Sequence, residues 1–252
     1  MNTCSKKKYL PDELFAWFRF NDEAINPFVR KSFFFQRFGS VLTLTEENAI
    51  EGTALQLNKN QSLILRLRNT TVGETDFTID FYDLIKSSGG SYPTFFDIAT
   101  SYSDSSSSIK RIKCGASNST ANSIYISNTG SWGDNVIAKP IDINVRHHYA
   151  IVYQKAANKM SMYIDGQLAD SKTWSSVSLA NPYIIIGADN GATTFNQTVG
   201  SIDEFRFWTK ALWTEDFTPP TAEDYIDLAE ALPFSNIVLS PSQFGRDFFV
   251  RF

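Results

Sequence analysis

The sequence predicts an all-β fold, a sandwich of antiparallel strands, and three observations carry that expectation. Residues 146–171 read as a three-stranded meander: 148–153 are almost all β-branched, aromatic or small and apolar, and Met160, Met162 and Ile164 then alternate with Ser161, Tyr163 and Asp165. Asp165-Gly166 follows, a dipeptide that tolerates positive φ at both centres of a tight hairpin. Strand-like runs bounded by turn residues recur about every 8 to 12 residues along the chain, the spacing of a sandwich. Phenylalanine is frequent, 21 copies in 252 residues, and wide aromatic side chains suit the space between two facing sheets.

Residues 1–11 are polar, close on Pro11 and read as an N-terminal arm. Residues 14–20 alternate as a strand, with Phe15, Trp17 and Arg19 on one face and Ala16, Phe18 and Phe20 on the other. Asn26-Pro27 and the Phe33-Phe34-Phe35 cluster make 21–40 a loop that must hide its aromatics, because exposed they would form a sticky patch. Strands follow at 41–45, 53–57, 62–68, 77–82 and 94–99. The clearest is 62–68, which sets Leu63, Leu65 and Leu67 against Ile64, Arg66 and Arg68. Residues 87–91 and 101–108 are low-complexity polar stretches and read as loops. Further strands are expected at 123–127, 183–187 and 199–208. Pro219-Pro220 breaks the pattern, and Thr221-Ala222-Glu223-Asp224 has the form of a helix start, with Thr221 as cap and Tyr225, Leu228, Ala229 and Leu232 on one helical face. The final stretch, with Phe244, Phe248, Phe249 and Phe252, is too apolar for a free tail and is expected to dock on this chain or on a neighbour, a route to a homo-oligomer.

The order of several segments resembles a known family. His147-His148-Tyr149-Ala150-Ile151-Val152-Tyr153, Met162-Tyr163-Ile164-Asp165-Gly166-Gln167-Leu168, Ile184-Ile185-Ile186-Gly187 and Gly200-Ser201-Ile202-Asp203-Glu204-Phe205-Arg206-Phe207-Trp208 with Ala211-Leu212 resemble the C-terminal half of a laminin-G-like domain of the concanavalin A-like lectin/glucanase superfamily. Segments 16–22, 52–57 and 77–81 resemble its opening strands. The resemblance implies a jelly roll of two antiparallel sheets over 12–213, with 214–252 as an extension docked on the sandwich or on a partner. It implies no particular ligand, since the fold hosts lectins, hydrolases, lyases and adhesion modules.

Composition narrows the function classes. A formal charge of −4 and a pI of about 5.3 argue against nucleic acid or an anionic membrane as partner. No apolar run approaches the ~20 residues of a membrane-spanning helix. Cys4 and Cys114 are too few and too far apart for a disulfide framework. Tyr9-Leu10-Pro11-Asp12-Glu13 interrupts where a signal peptide needs an apolar segment, so the chain is expected to be made in the cytoplasm. The resembling family mostly works outside cells, and a phage virion component, released on lysis, reconciles the two.

Chemistry-bearing residues are sparse. The superfamily's hydrolases carry two glutamates and an aspartate alternating on one strand; here Glu74, Asp76 and Asp80 recur, but Thr78 and Ile79 stand where the second glutamate could fall. No catalytic residue is assigned, and loop-capping acids are the other reading. His147 and His148 are adjacent on a strand, face opposite sides and are expected to be structural. Calcium is the one cofactor considered, with Asn21, Asp22 and Asp203 as oxygen donors that the fold resemblance would bring together; turn residues and a buried Asp203 bonded to backbone are the alternative. Sugar binding needs an aromatic face beside planar polar groups. Trp132 with Asp134 and Asn135 fits best, Tyr102 and Trp174 are secondary, and a tryptophan folded back as a lid on the core is the competing reading. The expected function is a non-catalytic recognition or structural module contacting surface glycans or fellow virion subunits; the alternative is a carbohydrate-active enzyme of the same fold.

Overall fold

The computed structural model describes residues 12–20, 27–29, 33–39, 43–47, 49–50, 52–58, 61–88, 94–101, 111–117, 123–127, 135–140, 142–174, 178–188, 198–222, 224 and 248–250. They form nineteen strands: β1 (Leu14–Phe18), β2 (Pro27–Val29), β3 (Phe33–Gly39), β4 (Thr43–Thr45), β5 (Ala54–Leu57), β6 (Gln61–Leu67), β7 (Thr71–Val72), β8 (Phe77–Ser88), β9 (Thr94–Ala99), β10 (Arg111–Ser117), β11 (Ser123–Ser127), β12 (Asn135–Pro140), β13 (Arg146–Gln154), β14 (Lys159–Ile164), β15 (Gln167–Thr173), β16 (Leu179–Ala180), β17 (Tyr183–Ile186), β18 (Thr198–Trp208) and β19 (Phe248–Val250). One sheet runs β15-β14-β13-β8-β18-β1-β2, with β5 pairing β18 and β4 pairing β5. The other runs β12-β11-β10-β9-β17-β6-β3-β19, and β16 pairs with β7 in a small third sheet. Every pairing is antiparallel.

The alternation read from the sequence sets the filling. Leu63, Leu65 and Leu67 of β6, Ile184 and Ile186 of β17, Tyr149, Ile151 and Tyr153 of β13 and Met160 and Met162 of β14 all enter one core. Phe81 is its hub, with ring centroids 5.3 Å from Tyr149, 5.7 Å from Phe95 and 5.8 Å from both Phe96 and Phe205. Each such ring removed from water contributes about 1.5–3 kcal/mol, so this stack outweighs any single polar contact nearby. The meander forms as expected: Asp165 and Gly166 take φ of 52° and 78° and join β14 to β15.

Several expectations need correction. Residues 21–40 were expected as loop, but β2 and β3 lie there, and β3 pairs with β6. Phe15 does not share a face with Trp17. A register shift between Leu14 and Ala16 turns Phe15 into the main core with Ala16 and Phe18. Ser87 and Ser88 continue β8 instead of starting a loop, because β18 supplies partners at Thr198 and Val199. Strands β10 and β12 fall where none was expected. In the tail, β19 pairs with β3 of the same chain. Thr221 and Asp224 exchange side-chain and backbone hydrogen bonds of 2.7 and 3.5 Å, the reciprocal contact of a helix start, and the rest of that expected helix lies outside the described residues.

Residues 209–220 cross the outer face of the nine-stranded sheet as a strap. Trp213 and Phe217 stack at 4.0 Å and cover Ala150, Val152 and Tyr163. Polar pins hold the strap: Thr78 Oγ1 donates to Lys210 O at 2.7 Å and accepts from Leu212 N at 3.0 Å, Tyr82 donates to Pro220 O at 2.5 Å, and Phe217 N donates to Gly166 O at 2.9 Å. Burial pushes the Tyr82 phenol up to about 12, which keeps it a donor at any physiological pH. Gly166 is the tightest point, since a Cβ there would fall 1.9 Å from Phe217 O. Gly166→Ala should therefore cost about 1–2 kcal/mol from the left-handed conformation alone and also lift the strap. Thermal unfolding will show the loss, and limited proteolysis should give new cuts within 209–220.

Candidate functional site

Among the described residues, the outer face of the eight-stranded sheet carries a second set of buried polar groups besides those under the strap. Ile98, Ile112 and Cys114 turn inward. The alternate residues Asp97, Arg111 and Lys113 therefore stand on the outer side, each at most 3% exposed. Register lines them up in two rows. One reads Ile64, Ile185, Asp97, Lys113, Ser127 and Asn135; the next reads Arg66, Tyr183, Ala99 and Arg111. Arg111 Nη1 lies 3.3 Å from Asp97 Oδ2. Arg66 is exposed and lays its guanidinium over Tyr183, 5.1 Å from the ring centroid. Leu67, Tyr183, Ala99, Arg111, Ser127 and Asn135 are strand ends at one end of this sheet, so the connections 100–110 and 128–134 leave from and return to that end.

Of the sugar candidates of the sequence, one begins a strand at that end. Asn135 opens β12 in the row of Asp97 and Lys113, and its backbone alone is described. Tyr102, Trp132 and Asp134 lie outside the described residues, in the two connections, as do Asn21 and Asp22 of the calcium candidates. Trp174 is elsewhere: it is 2% exposed within the main core and offers no ring face to a ligand. Its position just after β15 suggested a loop, but Trp174 N donates to Asn158 O at 2.7 Å and brings the indole inward.

The acids have structural work. Asp76 Oδ1 accepts from Lys155 N at 2.8 Å and Glu74 Oε1 from Ser178 Oγ at 2.8 Å, so both bracket loops. Asp203 is fully buried, its two oxygens taking the amides of Ile50 and Glu204, each at 2.8 Å. Burial and the adjacent Glu204 raise its pKa well above the carboxylate range. Glu204 sits at φ 50° in the bulge of β18, where its carboxylate meets the Trp17 indole N–H and Arg19 Nε at 3.7 Å. Among the described residues no three His, Cys, Asp or Glu side chains converge as a cation cage would require.

His147 and His148 part as the strand demands. His147 Nδ1 pairs with Asp165 Oδ2 at 2.7 Å, and that hydrogen bond raises its pKa while burial opposes. His148 is fully buried beside Asp80, which also receives Arg206 and the Trp208 indole N–H. Under the strap and without an open face, this cluster can brace β8, β13 and β18 but cannot receive a substrate.

Sequence reasoning missed Asp97, Arg111, Lys113, Arg66 and Tyr183. A signal was present: Asp97 interrupts the apolar run 95–99, and Arg111-Ile112-Lys113 alternates charge with an apolar residue, the mark of a strand whose two faces differ.

Comparison with known proteins adds family and fold. No curated protein matches the sequence. Domain 4 of AbnA, an extracellular GH43 arabinanase from Geobacillus stearothermophilus, in complex with arabinotriose, superposes with a TM-score of 0.58 at 17% identity, covering 86% of this chain and 98% of that one. A botulinum neurotoxin type C structure, described for a cell entry that depends on interaction with two ganglioside molecules, gives 0.60 at 14% identity over 87% of this chain and 51% of its own. The botulinum neurotoxin serotype D ligand binding domain in complex with N-acetylneuraminic acid gives 0.57 at 15% over 88% and 51%. The chain thus spans about half the length of the toxin structures, and at these identities the likeness is one of fold. A family model described as the concanavalin A-like lectin/glucanases superfamily matches residues 58–216, more than half of the sequence, and the chain belongs to that laminin-G-type family.

Proposed function

We propose that this chain is a non-catalytic glycan-recognition module. The observation that carries the reading is the end of the eight-stranded sheet, which carries an exposed guanidinium stacked on Tyr183 and a buried Asp97–Arg111 pair. Sugars are gripped by planar polar groups beside an aromatic face, and this end has both. The non-catalytic part is supported by Glu74 and Asp76, whose oxygens are engaged in bracketing loops instead of lining a cleft. We also propose display on a phage virion, which mass spectrometry of purified particles tests.

Two measurements test the function. Incubation with a panel of polysaccharides should release no new reducing ends, and product formation that is lost in Glu74→Gln or Asp76→Asn would overturn the non-catalytic reading. On a glycan array the protein should bind a restricted set of structures, with signal falling on the order of tenfold or more in Trp132→Ala, since an aromatic anchor carries much of a small interface. Silence across the array would sink glycan recognition and leave an architectural role.

A further inference from the structure

We infer that His147 is a pH-operated latch on the strap, firm while its ring is charged and looser when the ring is neutral. The link runs through the hairpin turn between β14 and β15. His147 lies on the core side of β13 with Tyr149, ring centroids 6.0 Å apart, and its Nδ1 pairs with Asp165 Oδ2 at 2.7 Å. The other Asp165 oxygen accepts from His148 N at 2.9 Å, and Asp165 N donates to His148 O at 2.8 Å, so side chain and backbone of Asp165 are both tied to β13. Gly166 follows, and the strap rests on it. Its carbonyl accepts from Phe217 N at 2.9 Å, and Phe217 O stands 1.9 Å from where a Cβ would be. Two residues on, Leu168 N donates to Asp216 Oδ1 at 2.9 Å. A shift of the turn is therefore passed directly to residues 216 and 217. Phe217 stacks on Trp213 and meets the His148 and Tyr163 rings at 5.8 and 5.5 Å, so lifting it thins the cover over Ala150 and Val152.

The titratable groups around the ring come from four segments. Asp165 belongs to the turn, Asp142 to the stretch before β13, Asp83 stands directly opposite on β8, and Tyr149 is two residues along β13. The Asp165 hydrogen bond raises the His147 pKa, burial opposes it, and the Asp165 charge with the Asp142 carbonyl and carboxylate add to the rise. Asp83 and Tyr149 are both pushed well up by burial, and below their raised values they carry no charge. Burial alone would raise the Asp165 pKa too, but the bonds from the His147 ring and the His148 amide hold it below the ordinary carboxylate value. The charged pair is thus complete between about pH 4 and about pH 6.5, the unperturbed values of its members. A folded histidine with a raised pKa contributes stability in mild acid, and that contribution is lost as pH climbs through the raised value. The neutral ring still donates one hydrogen bond, so the latch loosens without letting go.

Hydrogen exchange of the Phe217 and Leu168 amides in the full-length chain, followed by NMR from pH 5 to pH 9 and corrected for the intrinsic effect of pH on exchange, tests the latch. Protection in the wild type should fall about three- to fivefold as the ring loses its charge, the scale of a part-exposed ion pair. The midpoint should coincide with the titration of the His147 ring in the same samples, above the ordinary value of about 6.5. His147→Gln keeps a neutral donor, so it should show the lower protection at every pH and meet the wild type in alkali. Asp165→Asn, changed on the other side of the pair, should bring the ring titration down and erase the step as well. Changes in global stability from Asp83 and Asp203 enter wild type and variants alike, so the difference between them reports on the latch. Parallel protection curves for wild type and His147→Gln would overturn the inference, and so would a ring that titrates below its ordinary value. An equal fall in the unfolding temperature of His147→Gln at pH 5 and pH 9 would also overturn it, by making His147 a fixed pin.

Discussion

Asp80→Asn is expected to cost the domain about 3–5 kcal/mol of unfolding free energy, the usual consequence of removing one partner from a buried ion pair. The carboxylate is fully buried and anchors three side chains. Its Oδ2 receives Arg206 Nε at 3.1 Å, a second Arg206 nitrogen and His148 Nε2 at 3.3 Å, and Oδ1 receives the Trp208 indole at 2.8 Å. Asparagine has nearly the same shape, so no cavity opens. It offers one acceptor where there were two, turns an N–H₂ group toward an existing donor and takes away the buried negative charge that faces the guanidinium. In urea at neutral pH the loss should be plain, with a fall in unfolding temperature of roughly 10 °C. The pH dependence gives a second check. Burial alone would raise the Asp80 pKa, but Arg206 and His148 hold it below the ordinary carboxylate value. Its contribution is therefore present above about pH 4 and lost as pH falls through the lowered folded pKa, so variant and wild type should converge in acid. A loss below about 1 kcal/mol would mean that the cluster is incidental to the fold.

The contrast between this cluster and the core shows what the sequence could and could not yield. Leu63, Leu65 and Leu67, or Tyr149, Ile151 and Tyr153, announce their faces because a strand has a period of two and one side must be dry. Asp165-Gly166 announces its turn because few dipeptides accept positive φ twice. Phe15 does not announce its face, since a single register shift against β18 reverses the parity from that point on. The strap is equally silent. Nothing in Trp213 or Phe217 says that they stack over Ala150 and Val152, because the outer side of a sheet becomes a second core only when a distant segment covers it. For the same reason Asp80 looked like a possible catalytic acid in the series 74, 76, 80, although β18 returns with Arg206 and Trp208 to enclose it. The candidate site was less legible. Asn135 and the connections near it were picked out for their composition, but Arg66 and Tyr183 become neighbours only through the pairing of β6 with β17, which joins residues more than a hundred positions apart.

Asp83→Asn is expected to do the reverse of Asp80→Asn and stabilise the protein at neutral pH. Asp83 lies on β8 between Phe81 and Ile85, 1% exposed, on the side that faces the core. Ile202 and His147 are its cross-strand neighbours, and its charge is felt by Tyr149 and Cys114, both of which it pushes further up in pKa. Neither carboxylate oxygen has a hydrogen-bond partner of good geometry among the described residues, the adjacent Leu84 amide being the nearest approach to one. Burial drives the Asp83 pKa well above the carboxylate range against a weaker pull from the Leu84 amide, so in the folded protein the group holds a proton that the unfolded chain releases. With more protons bound when folded, stability must decline as pH rises from about 4 toward the raised folded pKa. Asparagine is neutral in both states and removes that slope, at the cost of keeping a polar group in the same place. The gain should be on the order of 2 kcal/mol at pH 8, the scale set by an unsatisfied buried polar group, and should vanish near pH 4. Asp203 also has a raised pKa, so wild type and variant will share a residual slope, and only their difference reports on Asp83. Unfolding temperature measured from pH 4 to pH 9 for both proteins decides the matter: parallel curves would show that Asp83 ionises freely in the folded state and that the core admits water at this point.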